Sequence, residues 1–476
     1  MFYLDVKGFL NNVCQEIKYK PIRKEIVDEL ENHIQEIKEE YIKKGMNEDE
    51  AEEKAVKQMG EAKTIGKELN KVHKPKLDWK LLLITVILIC FGILVDMIRA
   101  NNLLKNSITG EIIRYVIFLS IGIIPSGIIY FTDYKKLKKY SNTIYIIATL
   151  SIFFAMLFGR KIGGKPYLYF NLWTVAPEVI AMPLYIIAFV GFINDFERKS
   201  KLKSIILRFT NKEININFNL VKIILLSIFS LMLLTLIPSI ASTFILLLTY
   251  LMISTIKIIQ QDKNKVKHLI ILWGMVIIGG ILFTLIFIGA SGTYRLNKIN
   301  MLFNPESDSQ GGGWTGVNRK IIIQNAKMFG ESENKSQAIS LFDDGTDYAF
   351  ISIIAHYGWF VGILIVFAII LFSFRLIFNA IKIREIYGKF IIIGLASMFI
   401  LQSIFNILMN LNLWIESGFN LPFVSYGIGN LIMNLISLSI ILSVYRRKDI
   451  NLHEEEDEKK CEKIHKIIEI IDTSKK

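Results

Sequence analysis

NLPFVSYGIGNLIMN, residues 420–434, decides how this chain is read. Leu421-Pro422-Phe423-Val424-Ser425-Tyr426-Gly427 stands at the entrance of the last of about ten apolar spans. Pro422 supplies no amide donor and Gly427 loosens the turn, so the segment starts a helix poorly and frees backbone polar groups beside lipid. Irregular backbone persists at that depth only where protein or a wet cavity covers it. The end of the bundle that holds this loop is therefore where function is expected.

The rest of the chain makes the loop part of a membrane protein. Of 476 residues 52% are apolar, and the mean hydropathy is +0.42. Apolar runs mark spans at roughly 79–98, 112–131, 143–158, 178–194, 219–237, 239–257, 268–290, 347–374, 388–410 and 423–445. The fold class expected is all-α: a polytopic membrane protein of about ten transmembrane helices with a small N-terminal helical bundle. The first 78 residues are charged and helical in pattern, unlike the short apolar core of a signal peptide.

The net charge of +13 follows topology. With the N-terminus inside, the inner loops hold Lys135, Lys136, Lys138 and Lys139, the basic residues of 198–208 and those of 263–267, and the tail adds Arg446, Arg447 and Lys448. The long outer loop, 291–346, has six basic and six acidic residues and so no excess. This positive-inside pattern puts both termini in the cytoplasm and argues against a nucleic-acid partner. Cys14, Cys90 and Cys461 have no CxxC spacing and read as free thiols.

Three regions follow. Residues 1–75 form a cytoplasmic helical module, in which Ile26, Leu30, Ile34, Ile37 and Tyr41 recur as one apolar stripe. Gly45 ends that helix, Asn47 caps the next with Glu50 three residues on, and Gly60 closes it. Residues 79–446 are the ten-span domain, entered through KVHKPKLDWK (71–80), whose cations and Trp79 suit a membrane interface. Residues 447–476 are a charged cytoplasmic tail, readable either as an amphipathic helix or as disordered chain.

The outer loop begins TYRLNKINMLFNPESDSQGGGW (293–314) and the next span is introduced by LFDDGTDYAFISIIAHYG (341–358). Together with the 417–427 motif these stretches resemble the SEDS family (shape, elongation, division and sporulation), which includes RodA, FtsW and SpoVE. Arg295 and Lys298 take the family's basic positions. Thr346-Asp347-Tyr348 matches its Thr-Asp-Phe step, and Ser417 to Gly427 matches its Thr-Gly-x-x-Leu-Pro-Phe-x-Ser-Tyr-Gly motif nearly throughout. Gly163-Gly164-Lys165, Pro177-Glu178 and the run Gln402, Asn406, Met409 fit further family signatures, so the likeness covers about 80–450. The chain departs from the family at Pro238-Ser239, where an Asp is absent, at Ala355-His356, which replaces a Glu-Glu pair, and at Gly345, which replaces a His. The first 75 residues resemble, more weakly, the permease-prefix module of some bacterial membrane proteins, which implies a regulatory or docking role.

The resemblance implies a peptidoglycan glycosyltransferase that polymerises lipid II at the outer leaflet, beside a class B penicillin-binding protein as transpeptidase. Such a reaction needs a base for the acceptor hydroxyl and cations for the departing pyrophosphate. By family position Asp347 is the catalytic base; read from the residues alone, it equally serves the helix dipole at the start of the eighth span, as do Asp343 and Asp344. Arg295, Lys298, Arg319 and Lys320 are candidate phosphate contacts, with solvated loop charge as the plainer reading of each. Glu178 follows Pro177 as a first-turn acid, and by resemblance it and Lys165 line the substrate cavity. Pro422, Ser425 and Tyr426 read as a re-entrant turn against substrate, since Ser425 lacks the G-x-S-x-G frame of a nucleophile. His356 is a core histidine or an intramembrane functional group. No HExxH, Walker or GxGxxG pattern occurs, and no metal site or cofactor is identified, with a divalent cation left open. A non-enzymatic lipid-precursor transporter and a regulatory paralogue are the competing readings.

Overall fold

The computed structural model describes residues 5–19, 23–72, 76–100, 108–162, 165–170, 173–195, 218–237, 240–261, 265–274, 277, 304–309, 311–332, 345–414 and 418–448. It divides into two compact units, Met1–Asp78 with Tyr445–Lys476, and Trp79–Val444.

In the first unit, α1 (Val6–Glu16), α2 (Arg23–Lys43), α3 (Glu48–Met59) and α4 (Ala62–Val72) surround Phe9, Val13, Ile17, Ile26, Ile34 and Ala55. The helix ends are set locally. Asp5 accepts the Lys7 amide at 3.1 Å, and Asn47 accepts the Glu48 amide at 2.7 Å. Gly45 and Gly60 take positive φ just beyond α2 and α3, where other residues would be strained.

The second unit is a helix bundle: α5 (Trp79–Arg99), α6 (Ile108–Phe131), the short α7 (Lys135–Lys139), α8 (Ser141–Phe158), α9 (Pro177–Asn194), α10 (Phe218–Leu236), α11 (Ile240–Gln261), α12 (Trp314–Asn325), α13 (Ala349–Tyr357), α14 (Trp359–Lys382), α15 (Ile386–Asn410) and α16 (Ile428–Arg446). Among the described residues eight helices are long and apolar enough to cross a membrane, so the protein is a multi-pass membrane protein. Of the span expected at 268–290, 268–274 and 277 are among the described residues and the rest lies outside them. α9 is at the centre, with 78% of its span buried, whereas α6 at 11% is peripheral. Exposed Ile124, Phe158, Leu225 and Phe374 are the lipid-facing side of the same bundle, where apolar surface carries no penalty.

Two features differ from the sequence reading. The fold is not purely helical: β1 (Arg160–Ile162), β2 (Lys165–Phe170) and β3 (Trp173–Val175) form an antiparallel meander between α8 and α9. Arg160 pairs with Tyr167, and Leu168 with Val175. The segment is too short and polar to span lipid, and its side chains alternate as a strand requires. Leu168 packs on Ala155 of α8 while Lys165, Tyr167 and Tyr169 turn the other way.

The expected span 347–374 is also two helices. Gly358 adopts φ 86°, ψ 174° between α13 and α14. A Cβ there would sit 2.7 Å from the Met328 carbonyl oxygen, because the 327–328 backbone accepts the Trp359 and Phe360 amides at 3.0 Å each. α13 is thus a short buried helix that brings residue 347 into the bundle, and α14 does the crossing. Gly358→Ala adds both the strain of an extended positive-φ conformation that glycine alone adopts readily and a backbone clash; we expect it to cost at least about 1–3 kcal/mol, read as a lower melting temperature of the detergent-purified protein.

Candidate functional site

The site grows from the 418–427 segment. Its residues turn through 421–424, with Phe423 at φ 65° and Gly427 at φ 147°. Ser425 closes the turn on itself: its hydroxyl accepts the Leu421 amide at 2.8 Å and its own amide donates to the Leu421 carbonyl at 2.9 Å. The Tyr426 amide then donates to the Gly345 carbonyl at 2.6 Å, tying the loop to the segment before α13. Gly345, at φ 70°, has Val95 and Tyr426 where a side chain would be, so the histidine the family pattern would place here does not fit this packing.

Two buried asparagines of α15 hold the other side. Asn406 and Asn410 are fully buried and both donate to the backbone carbonyl of Asp347, at 2.9 and 3.0 Å. Asn406 also donates to the Phe419 carbonyl, and Asn410 accepts the Ile351 amide at 3.2 Å. The start of α13 and the 418–420 segment are therefore fixed to one helix. Tyr348 occupies the cap of α13, which places Asp347 one residue outside it.

These elements enclose a cavity of about 530 Å³ at the end of the bundle that carries the β meander. Lys165 and Glu178 face each other across it at 2.9 Å, joining β2 to the first turn of α9. The second carboxylate oxygen of Glu178 is buried without a hydrogen-bond partner, an uncompensated acceptor at the cavity wall. Asp347 completes the cluster: a point one Cβ out from Gly418 lies 3.3 Å from its Oδ2 and 3.7 Å from the Lys165 Nζ. Burial opposes a charge on Lys165, but Glu178, with help from Tyr167 and Asp347, outweighs this and raises the amine above its ordinary range. Lys165 is thus a fixed cation at neutral pH and not a base. The Tyr167 phenol is pushed up by burial, against the pull of Lys165.

Two arginines that sequence reading passed over complete the cationic wall. The Arg99 guanidinium lies 3.9 Å over the Tyr426 ring, and Arg114 donates to the Tyr426 hydroxyl. Arg99 also stands 3.7 Å from Asp96. A signal for them was present: both sit at span ends on the side away from the lysine-rich loops, against the positive-inside bias, where a cation needs another reason to exist.

The remaining candidates sort by geometry. Lys165, Glu178, Asp347 and Tyr426 line the cavity, whereas Pro422 and Ser425 do not: Pro422 is buried behind the turn and the Ser425 hydroxyl is spent within it. Gln402 lines the cavity as well. Arg319 is not a phosphate ligand here; it is buried, donates to the Met409 carbonyl at 2.7 Å and stacks near Tyr348. Lys320 pairs with the exposed Glu306 at 2.7 Å, which draws the Glu306 carboxyl below its usual range. The His356 Nδ1 meets the Ser352 carbonyl at 2.8 Å within α13, and Ala355 packs against Ile322 and Ile351, so the Glu-Glu departure falls in an apolar contact away from the cavity. Arg295, Lys298, Asp343, Asp344 and Ser239 lie outside the described residues. Among those described, no three His, Cys, Asp or Glu side chains cluster as metal ligands.

Removing the amide of Asn406 leaves the Asp347 and Phe419 carbonyls short of a buried donor. We expect Asn406→Ala to lose about 1–3 kcal/mol of stability, while Gln402→Ala, at the open cavity wall, leaves the melting temperature of the purified protein near that of the parent.

Comparison with known proteins agrees with this architecture. The family model described as "Cell cycle protein", FTSW_RODA_SPOVE, matches residues 77–450. The "Probable peptidoglycan glycosyltransferase FtsW" of Aliivibrio salmonicida is 23% identical over 78% of this chain and 89% of that relative. "Stage V sporulation protein E" of Bacillus subtilis is 24% identical over 70% of this chain and 86% of its own length. A solved structure described as "Structural coordination of polymerization and crosslinking by a peptidoglycan synthase complex" shares the fold, with a TM-score of 0.59 and 18% identity over 78% of this chain and 98% of that one.

Proposed function

Because the chain belongs to the FtsW, RodA and SpoVE family of cell cycle proteins, we propose that it is a peptidoglycan glycosyltransferase that polymerises lipid II in cell wall synthesis. Relatives over most of its length carry that activity in their names. The observation that carries the reading is the convergence of the Asp347 carboxylate, the Lys165–Glu178 pair and two arginines on one cavity.

The chemistry follows from what each group can do. Asp347 takes the proton of the acceptor sugar hydroxyl. The freed oxygen attacks the anomeric carbon of the donor sugar, the bond from that carbon to the pyrophosphate oxygen breaks, and polyprenyl pyrophosphate leaves with the electron pair. Lys165, Arg99 and Arg114 supply positive charge for the leaving group; the arginines suit planar contact with phosphate oxygens and the lysine acts as a point charge. Glu178 holds Lys165 in place. Arg295 and Lys298, by their match to the family's basic positions, are further candidates for the same pyrophosphate.

The lysine distribution supports an orientation with the cavity at the outer face of a bacterial plasma membrane and both termini in the cytoplasm. A class B penicillin-binding protein is the partner such a polymerase calls for, since its strands must be crosslinked. The likeness to a structure described by both polymerisation and crosslinking supports that pairing. Residues 1–75 then form a cytoplasmic docking or regulatory module. The transporter reading leaned on the family's lost acids, and Ala355 gives it no support, because that position faces apolar neighbours away from the cavity.

Asp347→Ala should lower lipid II polymerisation by about 10²–10⁴-fold in an assay of the purified full-length protein, with and without its transpeptidase. Unchanged polymer yield removes the base assignment. A parent protein that translocates lipid II but forms no polymer favours the transporter. Arg114→Gln, which leaves Asp347 in place, should lower kcat for lipid II polymerisation more than it raises KM, because the charge it removes serves the departing pyrophosphate.

A further inference from the structure

The opposite end of the bundle holds a second cavity, of about 390 Å³, that no step of the proposed reaction uses. Three helices and the α7 turn converge on it. Lys135, Lys138 and Lys139 come from α7, Lys222 from α10, and one acid, Asp195, from the end of α9. The enclosure is built into the packing. Gly191 of α9 lies directly under Ser141, with no room for a Cβ, and the Ser141 hydroxyl donates to the Lys138 carbonyl at 2.8 Å. The start of α8 and the lysine turn are thereby seated on the end of α9. Lys222, an exposed residue, reaches to the rim of the cavity: its amine donates to Asn142 Oδ1 at 2.9 Å and lies 5.0 Å over the Phe192 ring. Lys138 stands 3.9 Å from Asp195. Among the described residues that line it, four amines meet one carboxylate, so the cavity carries net positive charge and asks for an anion.

The position of the cavity names the source of that anion. Its walls are the ends of α8, α9 and α10, so it opens at the level where a bilayer changes from hydrocarbon to headgroup. On either side run lipid-facing stripes: Ile146, Ile147 and Leu150 on α8, and Ile224, Leu225 and Ile228 on α10. The Tyr145 hydroxyl donates to the Leu226 carbonyl at 2.8 Å and holds these two helices side by side. Apolar surface for acyl chains therefore leads straight to a cluster of amines at phosphate depth. Basic pockets between transmembrane helices are suited to anionic headgroups for this reason.

We propose that this cavity binds the phosphate headgroup of an anionic phospholipid drawn from the bilayer, as a structural lipid site distinct from the site of glycan chemistry. The probe is phosphatidylglycerol. Added in mixed micelles to the purified full-length protein, it should raise the melting temperature, while phosphatidylcholine and inorganic phosphate at matched concentration should not. Lys138→Gln combined with Lys139→Gln and Lys222→Gln should weaken the apparent phosphatidylglycerol affinity at least about tenfold; the corresponding triple arginine variant should retain it. A second measurement stands apart from the variants: photoactivatable phosphatidylglycerol in bilayers should label peptides covering residues 135–142 and 219–223 of the parent protein. An equal shift with phosphatidylcholine, a shift reproduced by inorganic phosphate alone, a glutamine variant that binds like the parent, or labelling confined to other segments would each overturn the assignment.

Discussion

One buried carbonyl organises the functional end of this protein. The main-chain oxygen of Asp347 receives two amide donors from α15, the fully buried Asn406 and Asn410. Unpaired polar groups are expensive there, so each partner holds the other strictly in register. The same asparagines reach the Phe419 carbonyl and the Ile351 amide, so a single helix face fixes the acid, the helix behind it and the loop opposite. Without this brace the broken backbone at 345–348 and 418–427 would have no reason to persist inside a membrane bundle.

Charge is distributed around that brace with the same economy. Lys165 is kept protonated by Glu178, Tyr167 and Asp347 against the cost of burial. Tyr426 is held by Arg99 at its face and Arg114 at its hydroxyl. The cavity therefore contains fixed positive charge before any ligand arrives, with one buried carboxylate oxygen of Glu178 lacking a hydrogen-bond partner. A preorganised site of this kind suits a reaction in which negative charge grows on a leaving pyrophosphate.

Much of this was readable in the chain, and the parts that were not have physical reasons. The 420–434 segment marked both the broken backbone and the functional end, because proline and glycine at a span entrance have a local meaning. Asp347, Glu178, Lys165 and Tyr426 were found through motif order, and all four line one cavity. Pro422 and Ser425 belong to the same motif yet shape the turn instead, and sequence alone does not separate a residue that builds a loop from one that the loop presents. The 160–175 meander escaped notice because three very short strands leave almost no periodic signal. Gly358 hid the break between α13 and α14, since hydropathy runs on across it while φ does not. Arg99 and Arg114 were visible but unread; their meaning lies in being on the wrong side of a charge rule, not in any motif.

The bond from Tyr426 to the Gly345 carbonyl joins two stretches separated by two long helices, α14 and α15. During synthesis the earlier stretch leaves the ribosome well before the later one exists. Until residues 418–427 have been made, the turn that carries Asp347 lacks its partner at the Gly345 carbonyl. A chain that stops short of residue 418 therefore lacks both this tie and the 418–434 side of the cavity wall.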